Sequence, residues 1–354
     1  MRVLQLIDSL DAGGAERIAV TFANHLVDAI EQSHLCATRA EGVLKQELRN
    51  EVGYLFVAKR KTLDLRALFR LRRYVKEHGI TIVHAHTTSF FFGTMLKWLV
   101  PNLNLVWHTH LGERATSGKS PGRALRKSAR RFDRIIAVNE ELQAWCQSNL
   151  ATKTVDYLPN FVSTAPFDAL KHLPRQKKIV CLANLKVPKN HENLLKAFGR
   201  ISAQFPDWRL ELAGKDFQDS YASNLRELVA KEELQNKVVF LGQQQEVPKL
   251  LCEASVGVLS SDSEGLPMAL LEYGAAGLAV VVTNVGRCGA VVDGAGKLVP
   301  PGDEGALALA LTHYLEQAEK RQEDGEKFRE HIRAQYSVEA VLPRLVTIYN
   351  ALSH

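Results

Sequence analysis

The chain has 354 residues, more than a single domain usually contains, so two domains of ordinary size are expected. Its 46% hydrophobic and 24% charged content is typical of a soluble globular protein with a sizeable core. No apolar run approaches the roughly 20 residues that span a bilayer, and residues 1–8 become charged too early for a signal peptide. The five cysteines lie far apart without a C-x-x-C pair, which argues against a disulfide framework and a structural zinc site. We therefore expect a cytoplasmic protein.

The net charge of +6 is unevenly distributed. Residues 1–165 contain 23 Lys and Arg against 15 Asp and Glu, whereas the remainder contains 22 against 24. The excess is greatest in a segment with helical spacing, which comprises Lys119, Arg123, Arg126, Lys127, Arg130, Arg131 and Arg134. Two interpretations stay open: a solvated helix face, or a face that attracts anionic lipid headgroups or a phosphate-bearing acceptor, at about 1 kcal/mol per basic residue. The second would hold the protein peripherally on the inner face of the cytoplasmic membrane. No nucleic-acid module is recognisable, so nucleic acid is not an expected partner.

Short apolar runs alternate with helical stretches along the whole chain, a rhythm typical of a parallel sheet covered by helices. The predicted strands are 3–7, 33–37, 53–57, 80–84, 103–109, 134–138, 154–158, 178–182, 208–213, 238–241, 256–260, 278–282 and 297–298. The most evident helices are 15–29, 65–77, 90–100, 190–204 and 338–352. A segment without periodicity, residues 159–176, is the expected linker, and residues 316–333 form a polar segment before the last helix.

The two halves predict an α/β protein of two Rossmann-like domains that face each other across a cleft. The first domain would comprise residues 1–165, and a C-terminal helix at about 338–354 could cross back to it. The second would comprise residues 176–336. Ligands of such folds bind beyond the carboxyl ends of strands, so the loops that follow strands are where functional residues are expected.

Gly13 and Gly14 follow the first predicted strand and precede the first helix. Glycine lets a ligand approach the backbone closely, and the N–H groups at a helix N-terminus carry partial positive charge. This arrangement suits a diphosphate or a sugar that is being transferred. The alternative is a tight turn between a strand and a helix without a ligand.

The strongest signal is the segment from Ser260 to Glu272, which follows a strand and leads into a helix. Glu264 falls in the loop and Pro267 at the first turn of the helix, where proline is tolerated. Glu264 and Glu272 are too far apart to act as a paired-carboxylate site, but they could bind hydroxyls at opposite ends of one ligand. The N–H groups of Leu266–Met268 would face a diphosphate between them. The alternative assigns Glu264 to capping and Glu272 to an exposed helix face.

Lys189 follows a strand and opens a helix, where its fixed positive charge could stabilise a leaving diphosphate. Two H-x-H pairs, His84 with His86 and His108 with His110, end neighbouring strands. Alternate residues of a strand share a face, so the four imidazoles could surround a metal ion or could line one cleft. We expect the cleft and no metal. His84 is expected to be a core histidine, and both a core and a cleft position stay open for His108.

The spacing E-x7-E from Glu264 to Glu272, the sequence Gly-Gly-Ala-Glu from Gly13, and the glycine- and proline-containing segment 285–303 together resemble glycosyltransferase family 4. The resemblance covers nearly the whole chain, including residues 133–140 and 158–160. It implies the GT-B fold, with the donor bound mainly by the C-terminal domain and the acceptor by the N-terminal domain. It also implies transfer with retention of configuration, no divalent metal, and no cofactor beyond a nucleotide-sugar substrate, for which UDP-sugar is the first expectation.

The resemblance also implies roles for individual residues. His110, Glu264 and Lys189 would be catalytic, with His110 beside the reacting sugar and Lys189 on the phosphates. The expected donor-binding residues are Gly14, Asn184, Lys186, Lys189, Glu264, Gly265, Leu266, Pro267, Met268 and Glu272. The expected acceptor-side residues are Gly13, Gly14, His86 and His110. The sequence departs from the family at Asn184, where arginine is usual, and at Ala290, where glutamate is usual.

The implied reaction is attack by an acceptor hydroxyl on the face from which the diphosphate leaves, so no protein nucleophile is required. The acceptor would be a glycan or a lipid-linked glycan in the synthesis of a surface polysaccharide, lipopolysaccharide or glycolipid. Two alternatives are an enzyme similar to the nucleotide-sugar 2-epimerases, which lacks an acceptor site, and a non-catalytic protein that binds nucleotide-sugars.

Overall fold

The computed structural model describes residues 1–11, 13–110, 120–152 and 154–352. It divides the chain into two compact units. The N-terminal unit comprises Met1–Asn160 with Val338–His354, and the C-terminal unit comprises Phe161–Ser337. Among the described residues, no helix has the length and apolar composition that crossing a membrane requires.

The N-terminal unit contains a parallel sheet of seven strands in the order β3-β2-β1-β4-β5-β6-β7. The strands are β1 Arg2–Ser9, β2 Gln32–Ala40, β3 Gly53–Phe56, β4 Ile82–His86, β5 Asn104–Thr109, β6 Arg134–Ala137 and β7 Val155–Tyr157. The first helices are α1 Gly14–Leu26, α2 Leu65–Glu77, α3 Phe90–Leu99, α4 Arg123–Ala129 and α5 Glu140–Asn149. The central strands are buried on both faces, because α2, α3 and α4 cover one face and α1 covers the other.

The C-terminal unit contains a parallel sheet of six strands in the order β10-β9-β8-β11-β12-β13. The strands are β8 Lys178–Leu182, β9 Arg209–Ala213, β10 Val238–Gly242, β11 Val256–Leu259, β12 Ala279–Thr283 and β13 Lys297–Val299. The helices are α6 Ala165–Leu170, α7 His191–Ser202, α8 Ser220–Lys231, α9 Val247–Glu253, α10 Met268–Ala275, α11 Cys288–Val292, α12 Glu304–Glu316 and α13 Ala318–Tyr336. The order is that of the Rossmann fold, and it reverses between β8 and β11.

The last helix, α14 Val338–Asn350, belongs to the N-terminal unit, as the sequence analysis considered. Its Tyr349 is fully buried and hydrogen-bonds to Gln5 of β1 and His84 of β4. Asn104, at the start of β5, donates to the carbonyl of Leu352 just beyond the helix. The first unit is therefore completed by residues that lie more than 300 positions after its first strand.

Residues 159–176, expected to be a loose linker, contain α6 and largely belong to the C-terminal unit. Val162 forms a parallel bridge with Ser337, and Phe167 is buried in the core of the unit. Asp168 forms ion pairs with Arg329 and Arg333 of α13. The boundary between the two units therefore lies between Asn160 and Phe161 rather than at the predicted limits of 165 and 176. These contacts attach the segment to the C-terminal unit.

Candidate functional site

Lys189 and Glu264 lie beyond the two strands between which the order of the C-terminal sheet reverses, β8 and β11. The Nζ of Lys189 donates to Oε1 of Glu264 at 2.5 Å, and the two side chains are only 20% and 9% exposed. Crevices at such reversal points are the usual ligand sites of open parallel sheets. The structure thus brings together the two residues of this unit that the sequence predicted to be catalytic.

Two serines that the sequence analysis did not single out fix this ion pair. Ser261 donates to the same Glu264 oxygen at 2.7 Å, and Ser260 donates to the carbonyl of Lys189 at 3.0 Å. Both serines are buried. Because each loop is bonded to the other, the pair is held in place without a ligand. The signal in the sequence that could have identified them is their position directly after a strand.

Asn190 joins the same two loops from the other side of Lys189. Its backbone is left-handed, with φ of 45°, and its side chain accepts a hydrogen bond from the N–H of Asn193, which caps α7. Its amide donates to Asp262 at 2.7 Å. Asparagine tolerates this backbone conformation and is a good N-cap residue. The cap formed by Asn190 therefore explains why Lys189 lies at the start of a helix, as predicted.

A third loop, which follows β12, packs against the backbone that carries Glu264. Gly286 has φ of +52°, and a Cβ atom built on it would lie 1.9 Å from the carbonyl oxygen of Glu264. The N–H of Arg287 donates to the carbonyl of Gly265 at 3.1 Å. Only glycine fits at position 286, because both the backbone conformation and the close contact exclude a side chain.

The helix that carries Glu272 begins one residue later than expected. Pro267 is the N-cap residue of α10, with an extended backbone, and Met268 is the first helical residue. Leu266 is buried beneath the loop, and Glu272 is 7% exposed. Burial of Glu272 contradicts the alternative that placed it on an exposed helix face.

Asn184 and Lys186 take different positions in the loop after β8. The side-chain oxygen of Asn184 accepts from the N–H of Lys215, which ties this loop to the one after β9. Lys186 is exposed and precedes a single 3₁₀ turn, Val187–Lys189. Asn184 thus has a structural role beside the donor contact predicted for it, and the contacts of Lys186 with a donor stay a prediction.

In the N-terminal unit, Gly13 is the N-cap of α1 and Gly14 is its first residue, so the helix begins one residue earlier than predicted. A Cβ atom on Gly13 would lie 2.2 Å from a carboxylate oxygen of Glu16. The absence of a side chain at Gly13 therefore makes room for Glu16 to lie over the helix N-terminus.

The four histidines of the H-x-H pairs lie together in one group, which we call the histidine cluster: His84, His86, His108 and His110. The first three are fully buried, and His110 is partly exposed. Nδ1 of His86 lies 3.1 Å from Nε2 of His110. The ring of His84 stacks on those of His86 and His108, with interplanar angles of 22° and 15°. Three of the imidazoles, those of His84, His86 and His108, have ring nitrogens within 4.8 Å of one another. These nitrogens are close enough together to bind one metal ion, so the absence of a metal stays a prediction.

Burial keeps the histidine cluster neutral. It lowers the pKa of His84 to about 3, with a smaller contribution from His110. It lowers the pKa of His110 to about 4, which the Asn160 side chain partly opposes. The pKa values of His86 and His108 also lie well below the usual value, first because of burial and then because of the neighbouring imidazoles. Neutral imidazoles carry one N–H and one lone pair, so each can act as donor and acceptor.

Gln5 and Tyr349 complete the hydrogen bonds of the histidine cluster. Nε2 of His86 lies 2.8 Å from Oε1 of Gln5, whose amide nitrogen donates to the Tyr349 hydroxyl at 3.3 Å. That hydroxyl lies 2.6 Å from Nδ1 of His84. Neither residue was predicted from the sequence. A glutamine within the apolar strand β1 was a usable signal, whereas nothing in the sequence pairs Tyr349 with β1 and β4.

Most of the predicted basic segment lies on and around α4, and it is exposed. Its solvent-exposed side chains are Arg123, Arg126, Lys127, Arg130 and Arg131. Arg134 instead forms an ion pair with Asp156, and Lys119 lies outside the described residues.

Two family models match consecutive parts of the chain. The model "Glycosyltransferase Family 4" matches residues 12–165, and "Glycosyl transferases group 1" matches residues 164–331. The chain belongs to the glycosyltransferase family that these two models describe. The family resemblance stated from the sequence is thereby confirmed.

Curated relatives are similar at the level of 24 to 29% identity. An exopolysaccharide phosphotransferase of Streptomyces coelicolor is 29% identical over 59% of this chain and 22% of its own length. A phosphatidyl-myo-inositol mannosyltransferase of Mycolicibacterium smegmatis is 27% identical over 80% of this chain and 74% of its own length. The chain spans less than half the length of three of these relatives: 22% of the Streptomyces coelicolor protein, 45% of an N-acetyl-alpha-D-glucosaminyl L-malate synthase of Bacillus anthracis and 42% of an uncharacterized glycosyltransferase of Haemophilus influenzae.

Solved structures share the fold. Anabaena HepE, in complex with UDP and glucose, superimposes with a TM-score of 0.84 over 99% of this chain and 100% of its own, at 18% identity. A sucrose-phosphate synthase of Thermosynechococcus elongatus superimposes with a TM-score of 0.79 over 99% of both chains, also at 18% identity. The predicted fold class, two Rossmann-like α/β domains of the GT-B kind, is confirmed.

Proposed function

We propose that this glycosyltransferase moves a sugar from a nucleotide-sugar, in the first instance a UDP-sugar, to a glycan or lipid-linked acceptor, with retention of configuration and without a divalent metal. The observation that carries the proposal is the pair formed by Lys189 and Glu264 at the reversal point of the C-terminal sheet. A cation and a carboxylate held there by backbone and serine contacts match the two needs of the reaction, a site for phosphate and a site for sugar hydroxyls.

Lys189 would bind the diphosphate. An ammonium group has three donors, so Lys189 can keep its bond to Glu264 and still donate to phosphate oxygens. The N-terminus of α10 lies at the end of the same loop that carries Glu264, and its N–H groups favour negative charge. A fixed cation together with a helix N-terminus can stabilise the charge of the leaving diphosphate in the way that a metal ion does elsewhere.

Glu264 and Glu272 would bind hydroxyl groups of the donor. Glu264 accepts from Lys189 and Ser261 through the same oxygen, Oε1. A carboxylate has two oxygens and about four acceptor positions, so a sugar hydroxyl can donate to the other one. In the transition state, the negative charge of Glu264 would stabilise the positive charge that develops on the sugar.

The acceptor hydroxyl would attack on the face from which the diphosphate departs, and the departing phosphate would take its proton. His110, with Gly13, Gly14 and His86, is proposed to serve the acceptor side. Relatives named for phosphatidyl-myo-inositol mannosyl transfer and for lipopolysaccharide core biosynthesis support a role in surface polysaccharide or glycolipid synthesis.

The first experiment measures the binding and turnover of a panel of UDP-, GDP- and ADP-sugars in the presence of EDTA. We expect saturable binding of one donor by the wild type and a loss of roughly 100-fold in kcat/KM for Lys189→Ala, the size typical of removing one charge-stabilising contact. Lys196→Ala is the matched control, because Lys196 is an exposed lysine paired with Glu192 on α7.

The proposal is wrong if no nucleotide-sugar binds, or if binding requires a divalent metal. Donor turnover without any acceptor product, across a panel of glycan and lipid-linked acceptors, would favour the epimerase-like alternative. Donor binding with no chemical change would favour the non-catalytic one.

We further propose that the N-terminal unit attaches to anionic membranes through α2, α3 and α4. These helices lie side by side on one face of the sheet, where they share one core. Their outer surface combines exposed apolar side chains, which are Leu63, Leu65, Phe69 and Trp98, with the exposed basic residues of the α4 region. Apolar side chains that insert at an interface, flanked by cations, are the combination by which peripheral proteins bind anionic lipids.

Sedimentation with vesicles tests this surface. Vesicles that contain phosphatidylglycerol should bind the wild type, and phosphatidylcholine vesicles should not. The double variant Phe69→Ser/Trp98→Ser should lose most of this binding, whereas Leu309→Ser should keep it, because Leu309 is 74% exposed but lies on α12 of the other unit. Equal binding by both variants would contradict the proposed surface.

A further inference from the structure

We propose that Gln5, His86 and Tyr349 form a buried hydrogen-bonded chain that fixes the tautomer of His110, so that its Nδ1 is an acceptor. The inference rests on the proposed function only for the role of His110 and is otherwise a statement about the histidine cluster itself. Gln5, His86 and Tyr349 are positioning residues, since they act through His110.

The direction of the chain follows from counting protons. The Gln5 amide donates to the Tyr349 hydroxyl oxygen, so the single hydroxyl proton of Tyr349 goes to Nδ1 of His84 at 2.6 Å. The Gln5 carbonyl oxygen can only accept, so the contact of 2.8 Å with Nε2 of His86 requires a proton on that nitrogen.

The same count extends to His110. His86 is neutral and has its one proton on Nε2, so its Nδ1 is an acceptor. The contact of 3.1 Å between His86 Nδ1 and His110 Nε2 then requires an N–H on His110. A neutral His110 with a proton on Nε2 presents a lone pair at Nδ1, which can accept a hydrogen bond from a hydroxyl group. Asn160, whose side chain also reaches His110, carries both a donor and an acceptor and is compatible with this state.

The opposite direction requires every member to change together. If the Gln5 amide were turned, His110 would carry its proton on Nδ1, and Tyr349 would accept from His84. Gln5, His84 and Tyr349 are fully buried, so water does not offer them substitute partners. The chain therefore has two discrete states, and the arrangement in the structure selects one.

The test is ring-nitrogen NMR of histidine-labelled protein without donor, with the His110 signals assigned from their absence in His110→Gln. We expect the wild type to show His110 with a proton on Nε2 alone. Tyr349→Phe removes only the hydroxyl that fixes the direction, so both His110 tautomers should appear. kcat should fall by roughly two- to tenfold, in proportion to the tautomer lost, while the donor KM stays within twofold of the wild type.

Tyr314→Phe is the matched control. Tyr314 is also fully buried and donates its hydroxyl proton to Asp324, but it lies in the C-terminal unit. This variant should leave the His110 signals unchanged. A wild-type His110 with its proton on Nδ1, or a Tyr349→Phe spectrum identical to that of the wild type, would overturn the proposal. A saturable shift of the NMR signals of the His84 and His108 ring nitrogens on addition of one equivalent of Zn²⁺ would also overturn it, because the histidine cluster would then be a metal site. The spectra are recorded without substrate, so they determine the tautomer of His110 whether or not the protein has the proposed transferase activity.

Discussion

Hydrogen bonds in the histidine cluster are distributed unequally among its members. Both ring nitrogens of His108 lack a hydrogen-bond partner among the described residues, whereas both ring nitrogens of His86 have one. A buried polar group without a partner costs roughly 1–3 kcal/mol, and removing one member of a pair leaves the other without a partner. Replacing His86 or His108 by the same apolar residue should therefore change the free energy of unfolding differently, although both are equally buried.

We expect His108→Leu to leave the free energy of unfolding unchanged or to raise it by about 1 kcal/mol, because it removes an unsatisfied group. His86→Leu should lower the free energy of unfolding by roughly 2–4 kcal/mol, because Gln5 and His110 both lose a partner. Urea denaturation of the two variants measures the difference. An equal loss in both would show that His108 is bonded in solution.

Individual residues of the site were predictable where a loop follows a strand. Lys189 and Glu264 were identified because glycine, proline and a preceding strand place them at the sheet edge, and the structure joins them. Ser261 was not identified, because its role depends on a contact with Glu264 that spacing does not reveal. The bond between the Asn184 side chain and the backbone of the loop after β9 was not predicted, and the donor contact expected of Asn184 stays a prediction.

At the scale of elements, the loop after β12 determines where the loop of Glu264 lies. Gly286→Ala should shift the backbone at Glu264, because the new Cβ would approach its carbonyl oxygen to 1.9 Å. We expect donor affinity to fall by at least tenfold, together with a loss of stability of roughly 1–3 kcal/mol. Calorimetric titration with donor and urea denaturation measure the two effects.

Gly302→Ala separates the two causes. Gly302 has φ of +73° but no atom within 4 Å of a Cβ built on it, so alanine there meets the same kind of backbone strain without the contact. Stability should fall in both variants, whereas donor affinity should fall only in Gly286→Ala. Equal donor affinity in the two would mean that the contact with Glu264 does not control the site.

All predicted strands are present, with ends displaced by at most three residues, because short apolar runs between turn residues specify buried parallel strands. No helix was predicted for α13, whose residues 318–336 include the segment described only as polar. Its buried residues are Asp324, Gly325, Phe328, Ile332 and Tyr336, a narrow stripe at helical spacing. Gly325 lets the helix approach the chain before β12, since a Cβ there would lie 2.5 Å from the carbonyl oxygen of Gly277. Such close packing is tertiary information that a polar sequence does not display.

At the scale of the whole molecule, the described residues of the two units differ in how many histidines have a lowered pKa. In the C-terminal unit, burial lowers the pKa of His191 to about 4. In the N-terminal unit, those with a lowered pKa are His25, His34, His84, His86, His108 and His110. The native state of the N-terminal unit therefore resists protonation at more positions.

Acid should destabilise the N-terminal unit first. Below about pH 6.5 the unfolded chain takes up protons on these histidines, whereas in the native state His34 and His110 do so only at about pH 4. The stabilisation is therefore complete above pH 6.5 and is lost as the pH falls toward 4, by up to about 1.4 kcal/mol per pH unit for each histidine.

Hydrogen exchange at pH 7 and pH 5, corrected for intrinsic rates, measures this difference. Protection should decrease more in β1, β4 and β5 than in β8, β11 and β12. An equal loss of protection in both units, or a larger loss in the C-terminal unit, would contradict the prediction that acid destabilises the N-terminal unit first.

The position of α14 has a consequence for the order in which the protein is made. Residues 161–337 of the C-terminal unit are continuous in the chain, so this unit can fold during translation as soon as it has left the ribosome. The N-terminal unit lacks Tyr349, and with it the partner of Gln5 and His84, until Val338–Asn350 has been synthesised. The unit that is translated first is therefore the one that is finished last, and during synthesis its early strands depend on a helix that does not yet exist.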